Sequence, residues 1–267
     1  MSVAMIVCGA AGRMGRTLVA LIEQNEGAHL HAAVEMAGHE SIGVDAGKLA
    51  GVRELGVRIS DSYESVAAPE TVTLDFTIAN AAMEHLRTAV AKHAAIVVGT
   101  TGFDEAQRRE LDGLAPRTQS VIAPNMSVGV NVLLELVAQA AELLGSDFDP
   151  EIVEIHHRLK VDAPSGTALA LGRAVANALD RDLNEDARYG REGLAGKRTD
   201  REIGIMALRG GDVIGDHTVI FAGIGERLEL THRSQSRECL ARGAVRAGLW
   251  LAGQKAGRYG MAEVLGL

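Results

Sequence analysis

A chain of 267 residues, 47% hydrophobic and 23% charged, suffices for one large domain or two small ones and is not composed like a disordered segment. Its net charge of −8 argues against an electrostatic grip on nucleic acid or anionic lipid, so an anionic ligand needs a local cationic pocket. Aromatics, at 3%, are too few for a base-stacking surface, and two cysteines, Cys8 and Cys239, match no zinc spacing and no disulfide framework.

From the N-terminus, Val3–Cys8 is apolar and β-rich, lacks a basic leader and runs straight into glycines. It reads as a first strand and not as a signal peptide. Residues 13–25 carry Met14, Leu18, Leu21 and Ile22 at helical spacing. Residues 30–35 form the next strand, and 38–56, rich in glycine and polar residues, a loop. Strands at 72–77, 95–99 and 120–123 then alternate with helices at 79–93 and 104–114. Alternation of this kind predicts an α/β fold, a Rossmann-like doubly wound parallel sheet with ligands at the strand C-termini.

After Asn125 the pattern changes. A helix at Val128–Leu144, a strand at 152–159 and a helix at 165–179 come first. Residues 181–201 are charged, lack apolar periodicity and read as an exposed loop. Three β-rich runs, 203–208, 213–221 and 227–231, follow without intervening helices, which predicts a second α+β domain with a mixed sheet. A helix at 237–251 is the last element expected. No internal repeat is visible, and no apolar run long enough to cross a bilayer is expected. With free thiols, these features predict a cytoplasmic protein with no nucleic-acid or membrane partner.

The first strand ends in Gly9-Ala10-Ala11-Gly12-Arg13-Met14-Gly15, and a helix follows at once. Glycines there permit positive φ and a close approach of backbone amides to a pyrophosphate, while the helix start offers free N–H groups. Glu35, at the end of the second strand and twenty residues after Gly15, suits the ribose diol of a dinucleotide. Gly99-Thr100-Thr101-Gly102 and Ala123-Pro124-Asn125-Met126 close later strands, where the nicotinamide end of such a cofactor would lie.

The densest chemistry lies in 154–168, Glu-Ile-His-His-Arg-Leu-Lys-Val-Asp-Ala-Pro-Ser-Gly-Thr-Ala. Histidines exchange protons near neutral pH, and a lysine donates a proton or holds an anion. The Gly166 and Thr167 amides, with the Thr167 hydroxyl, suit a carboxylate at a helix start. On a regular strand His156, Arg158 and Lys160 share one face and His157 the other. For both histidines to meet one ligand the strand must bulge or end there.

Residues 9–15, 99–102, 123–131 and 154–168, with Glu229-Leu230-Thr231-His232-Arg233-Ser234 near the C-terminus, resemble the motifs of the 4-hydroxy-tetrahydrodipicolinate (dihydrodipicolinate) reductase family. The resemblance covers nearly the whole chain. It implies a dinucleotide-binding domain at 1–127 and 237–267, and a substrate-binding and oligomerisation domain at 128–236 that builds a homotetramer. It also implies hydride transfer from NADH or NADPH to a cyclic unsaturated dicarboxylate, with water lost overall, yielding tetrahydrodipicolinate in lysine biosynthesis through diaminopimelate. By position, His156 matches the family's acid/base residue, Lys160 its proton donor, His157 a substrate contact, and Gly166 and Thr167 the carboxylate cradle. Gly9, Ala10, Ala11, Gly12, Arg13, Met14, Glu35, Gly99, Thr100, Thr101, Ala123, Pro124, Asn125 and Met126 match cofactor contacts, and no metal is implied.

Two positions depart from the family pattern. Met36 stands where some members carry an arginine that can hold a 2′-phosphate, and Ile78 where another arginine often follows the Asp-Phe-Thr run. With Glu35 nearby, the expectation is a preference for NADH, or use of both cofactors at best. A semialdehyde dehydrogenase of the same build would not need the His-His-x-x-Lys run, and a non-catalytic nucleotide sensor could lose His156 or Lys160.

Overall fold

The structure is a computed structural model that describes residues 2–267. It divides into two compact units, one running to Val128 and taking in Glu238–Leu267, the other Gly129–Arg237. The first half of the chain gives β1 (Val3–Cys8), α1 (Arg13–Glu23), β2 (Ala28–Val34), α2 (Ala46–Ala50), β3 (Thr71–Asp75), α3 (Ala79–Lys92), β4 (Ala95–Val98), α4 (Glu105–Leu114) and β5 (Gln119–Ile122). The second unit contains α5 (Val128–Leu144) from Gly129 onward, β6 (Asp149–His156), α6 (Gly166–Ala178), α7 (Leu183–Asp186), β7 (Ala187–Arg188), β8 (Ile203–Arg209), β9 (Gly215–Ala222) and β10 (Arg227–Ser234). Helix α8 (Glu238–Leu251), β11 (Gly257–Tyr259) and α9 (Met261–Leu265) then complete the first unit.

The first unit is the expected parallel sheet, six strands in the order β11-β5-β4-β3-β1-β2. Its strands are apolar on both faces because helices cover both. Met5 and Val7 of β1 and Val97 of β4 pack with Leu18 and Ile22 of α1 and with Ala244, Ala247 and Leu251 of α8. Their neighbours Ile6, Cys8, Ile96 and Val98 face the opposite way, onto Met83 and Leu86 of α3 and Leu111 of α4. Strand order reverses between β1 and β3, the place where sheets of this kind open a crevice.

The expected loop at 38–56 contains α2, which Asp45 caps by accepting from the Lys48 amide and Gly51 ends at φ +77°. Beyond residue 251, β11 pairs with β5 through Gly257–Gln119 to Tyr259–Val121, an element the sequence pattern did not announce.

The second unit has the expected mixed sheet, in the order β10-β9-β6-β8-β7, with β6 parallel to β8 and antiparallel to β9. Along β6, Ile152, Glu154 and His156 point to the covered face, where Ile152 meets Leu133 and Val137 of α5 and Leu171 and Val175 of α6. The strand ends at His156 and not at 159. Beyond it the His156 carbonyl accepts from Gly210, the Arg158 amide donates to Gly211, and the Lys160 amide turns back to His157. His156, Arg158 and Lys160 therefore do not share a strand face.

The expected loop at 181–201 contains α7 and β7. Arg191 and Arg198 fasten it to the sheet through Glu151, whose carboxyl burial would push up but whose two arginine partners hold below the usual range. The helical stretch Val128–Asp147 is long and apolar enough to cross a membrane, which corrects the expectation that no such run exists. Its pattern is amphipathic: Val130, Leu133, Val137 and Ala141 are buried, while Asn131, Glu135, Gln139 and Glu142 form a polar stripe.

Candidate functional site

In the first unit the glycine loop closes tightly over the end of β1. Gly9 sits at φ +70°, and its carbonyl accepts from the Gly12 amide at 3.0 Å. A Cβ on Gly15 would lie 2.1 Å from the Gly9 carbonyl oxygen, so only glycine lets α1 approach the loop this closely. No side chain caps α1 and no acidic residue occupies its first turn, which leaves its amides and positive end for an anion. The Glu35 carboxylate joins β2 to the loop, accepting from the Ala11 amide at 3.0 Å and from the Met36 amide at 3.0 Å. Ala10 is tied to the end of β2 through its amide and Val34. Arg13 is exposed, and Met14 packs against the core.

A cleft of about 570 Å³ opens here, at the ends of β1, β2 and β3. Gly9, Gly12, Glu35, Met36, Phe76, Thr77, Ile78 and His85 are among its lining residues. Met36 and Ile78 are about 70% exposed, an unusual state for such side chains, and they give the rim an apolar surface. The lining carries three carboxylates, Glu35, Asp61 and Glu84, and no lysine or arginine is among its described residues. Gly99, Thr100 and Thr101 follow β4, and Ala123, Pro124, Asn125 and Met126 follow β5. These residues lie at the C-terminal edge of the same sheet but outside this cleft's lining. Their turns are well defined. Phe76 fills the space a Gly99 side chain would take, Asn125 accepts from the Ser127 amide, and the Met126 carbonyl sits directly against Gly243 of α8.

Beneath the cleft lies a group that the sequence pattern did not single out. Asp75, fully buried at the end of β3, accepts from the Thr77 amide and hydroxyl at 2.9 and 2.7 Å and pairs with His85 Nδ1 at 2.6 Å. The Thr100 hydroxyl donates to the Thr77 carbonyl at 3.1 Å, so Asp75 and Thr100 join the ends of β3 and β4. Cys8, Asp75 and His85 bring sulfur, oxygen and nitrogen within 4.8 Å of one another. Both Asp75 oxygens are already engaged, however, and burial followed by the Asp75 and Glu35 charges pushes the Cys8 thiol well up, keeping it protonated.

In the second unit the predicted residues converge on the turn between β6 and α6. His156 Nδ1 lies 2.6 Å from Glu154 Oε2, and Arg209 donates to the same oxygen at 2.8 Å. The other Glu154 oxygen accepts from the Ser165 amide at 3.0 Å. Burial would push the Glu154 carboxyl up, but hydrogen bonds from Arg209, His156 and Ser165 outweigh it and hold the group ionised. Ser165 caps α6 by accepting from the Ala168 amide, and its hydroxyl also meets His217 Nε2 at 3.0 Å. Gly166 and Thr167 are the first two residues of α6, and the space beside Gly166 is open. Lys160 pairs with Asp162 at 2.8 Å, an ion pair that holds the Asp162 carboxyl below its usual range.

Imidazoles crowd this end of the sheet. His217 packs edge-on to His156 with ring centroids 5.1 Å apart, and burial pushes it down to about 4, so it is neutral at physiological pH. His157 Nδ1, His217 Nδ1 and His232 Nδ1 are buried without a hydrogen-bond partner, and His157 Nε2 lies 3.4 Å from Arg237. The sequence pattern marks Ser165 as the start of a helix and gives no role to Glu154, Arg209 or His217. Glu154 had a usable signal, since a residue two before His156 on a strand shares its face. Arg209 and His217 had none, because they reach the site only through pairing of β8 and β9 with β6.

The chain matches the family models described as dihydrodipicolinate reductase, N-terminus, over residues 3–126 and dihydrodipicolinate reductase, C-terminus, over residues 129–265. It is 50% identical to a 4-hydroxy-tetrahydrodipicolinate reductase of Magnetococcus marinus, covering 100% of this chain and 99% of the relative. It is 49% identical to the enzyme of the same description from Geotalea daltonii, with 99% of both chains covered. Among solved structures, a dipicolinate-bound dihydrodipicolinate reductase from Paenisporosarcina sp. TG-14 is similar, with a TM-score of 0.75 and 25% identity over 98% of this chain and 99% of that one. The chain belongs to the dihydrodipicolinate reductase family and is an oxidoreductase with 4-hydroxy-tetrahydrodipicolinate reductase activity.

Proposed function

We propose that the first unit holds NADH in preference to NADPH and that the β6–α6 turn of the second unit holds the cyclic dicarboxylate it reduces. The residues of the cleft fit a dinucleotide. Gly9, Gly12 and Gly15 allow backbone amides and the start of α1 to meet a pyrophosphate, and Glu35 can accept from a ribose diol. A reduced nicotinamide supplies the hydride; the protein binds, orients and protonates. One substrate carboxylate sits on the amides of Gly166 and Thr167 and the Thr167 hydroxyl, and His157 contacts the ring. His156 and Lys160 hold and deliver the proton that completes the reduction, and the Lys160 charge stabilises electron density building on the ring. Dipicolinate, bound by the Paenisporosarcina relative, is a dicarboxylate of the kind this turn suits. The observation that carries the reading is the gathering of His156, Lys160 and the first turn of α6 around one turn.

The NADH preference rests on charge. A 2′-phosphate beside Glu35 would meet a lining that also holds Asp61 and Glu84, while Met36 and Ile78 offer it no donor. One unfavourable contact of about 1–4 kcal/mol corresponds to about fivefold to several hundredfold in affinity. Steady-state kinetics with both cofactors test this. The expected result is kcat/KM higher with NADH by about tenfold, and a narrower gap in Met36→Arg; a clear NADPH preference in the wild type refutes it.

A homotetramer and a cytoplasmic location complete the proposal. The sheet face turned away from α5 and α6 carries Val153, Ile155, Met206, Leu208 and Ile220 interspersed with Glu151, Asp216 and Thr218, a mixed surface suited to a second copy. Light scattering in solution should return four times the chain mass; a monomer contradicts assembly through this face.

A further inference from the structure

We propose that Glu154 is a positioning residue that sets both halves of the substrate site at once: the tautomer of His156 and the placement of the first turn of α6. This rests on the reading of the β6–α6 turn given above. Glu154 is fully buried on the helix-facing side of β6, two residues before His156. Every group around its two oxygens is a donor. Oε2 faces His156 Nδ1 and Arg209 Nη1, and Oε1 faces the Ser165 amide. A carboxylate in that setting only accepts, so in the neutral ring Nδ1 carries the proton and Nε2 keeps its lone pair, the position at which a second, transferable proton is taken up and delivered. Gly215 keeps the space next to Nε2 open, because a Cβ there would stand 2.8 Å from it.

The second oxygen acts on the other half of the site. Ser165 is the N-cap of α6, and the residues next to it are Gly166 and Thr167. A bond from Glu154 to the Ser165 amide therefore fixes where the helix begins relative to His156. Arg209 makes the arrangement rigid from outside, since its guanidinium also donates to the carbonyls of Leu208 and Asp162 at 2.6 Å. A glutamine at 154 keeps the shape but offers one accepting oxygen, so it satisfies either Ser165 or His156 and Arg209, not both sides.

The test begins with the intact wild-type protein labelled with ¹⁵N-histidine. The expected spectrum shows the neutral His156 ring protonated at Nδ1; an Nε2-protonated ring overturns the proposal. In Glu154→Gln the Nδ1 signature should be lost or mixed. There kcat should fall about 100-fold and substrate KM should rise several-fold, with the NADH dissociation constant unchanged. Glu154→Asp, which retains the charge and both acceptors, should recover part of kcat. Wild-type kcat and KM in Glu154→Gln overturn the proposal. If Glu154→Gln does not fold, Arg209→Lys replaces it, with an expected fall in kcat of about tenfold and a wild-type value as the refuting result. Absence of turnover in the wild type would instead refute the reading of the turn as a substrate site, and the ligand-free spectrum reports on Glu154 independently.

Discussion

Replacing Gly15 by alanine tests how the glycine loop is built. The new methyl would stand 2.1 Å from the Gly9 carbonyl oxygen, 2.7 Å from Ala10 Cα and 2.9 Å from the Ala10 carbonyl carbon. All three are backbone atoms of the turn, so no change of rotamer relieves the overlap. Bringing the closest pair to an ordinary contact moves α1 and the loop apart by on the order of 1 Å. Overpacking of this sort costs about 1–3 kcal/mol, and a displacement of that size at a binding loop costs about 100-fold in function. Gly113 serves as the control. It lies in α4, and a Cβ added there would meet nothing within 4 Å, so Gly113→Ala should stabilise the protein by about 0.5–1 kcal/mol. Urea unfolding and NADH titration of both variants give the answer. The expected result is a less stable Gly15→Ala with at least about tenfold weaker NADH binding. Wild-type NADH affinity in that variant would refute the tight helix–loop contact as the reason for the third glycine.

His217 should make stability depend on pH. Burial, assisted by the neighbouring His156, pushes it down to about 4, whereas the unfolded chain returns it to about 6.5. Between those values the unfolded state binds more protons, so the contribution is complete above about pH 6.5 and lost as pH falls towards 4, on the order of 3 kcal/mol. The loss of stability between about pH 7.5 and 4.5 should be smaller in His217→Gln by that amount, read from urea midpoints; equal losses would contradict the assignment. His156→Ala and Lys160→Ala should each lower kcat by about 100-fold or more with NADH binding intact. Unchanged turnover in both ends the proposed roles.

The sequence exposes those features of the fold that rest on local pattern. Strand-to-helix alternation and the glycine turn disclose the parallel sheet, and three successive β runs disclose the mixed one. Short elements escape this kind of reading. Five residues are too few for helix α2 to show periodicity, although Asp45 and Gly51 mark its two ends. Strand β11 has three residues, and its partner β5 lies over a hundred positions earlier in the chain. The end of β6 at His156 is accompanied by backbone bonds to Gly210 and Gly211, just past β8, which no local pattern in 152–159 announces. In the site, His156, Lys160 and the start of α6 are legible because their chemistry is concentrated in one run. Their supports, Arg209 and His217, come from other strands, and only the register brings them to Glu154. Likewise Asp75 reads as an ordinary strand end until the fold surrounds it with Thr77, Thr100 and His85.

A crystal structure of the protein with NADH and pyridine-2,6-dicarboxylate would locate both ligands at once. The pyrophosphate should lie against the amides of the Gly9 loop, the adenosine ribose at Glu35, and the dicarboxylate between the first turn of α6 and the His156 and His157 imidazoles. A dicarboxylate bound away from Gly166, Thr167 and both imidazoles would contradict the proposed substrate site.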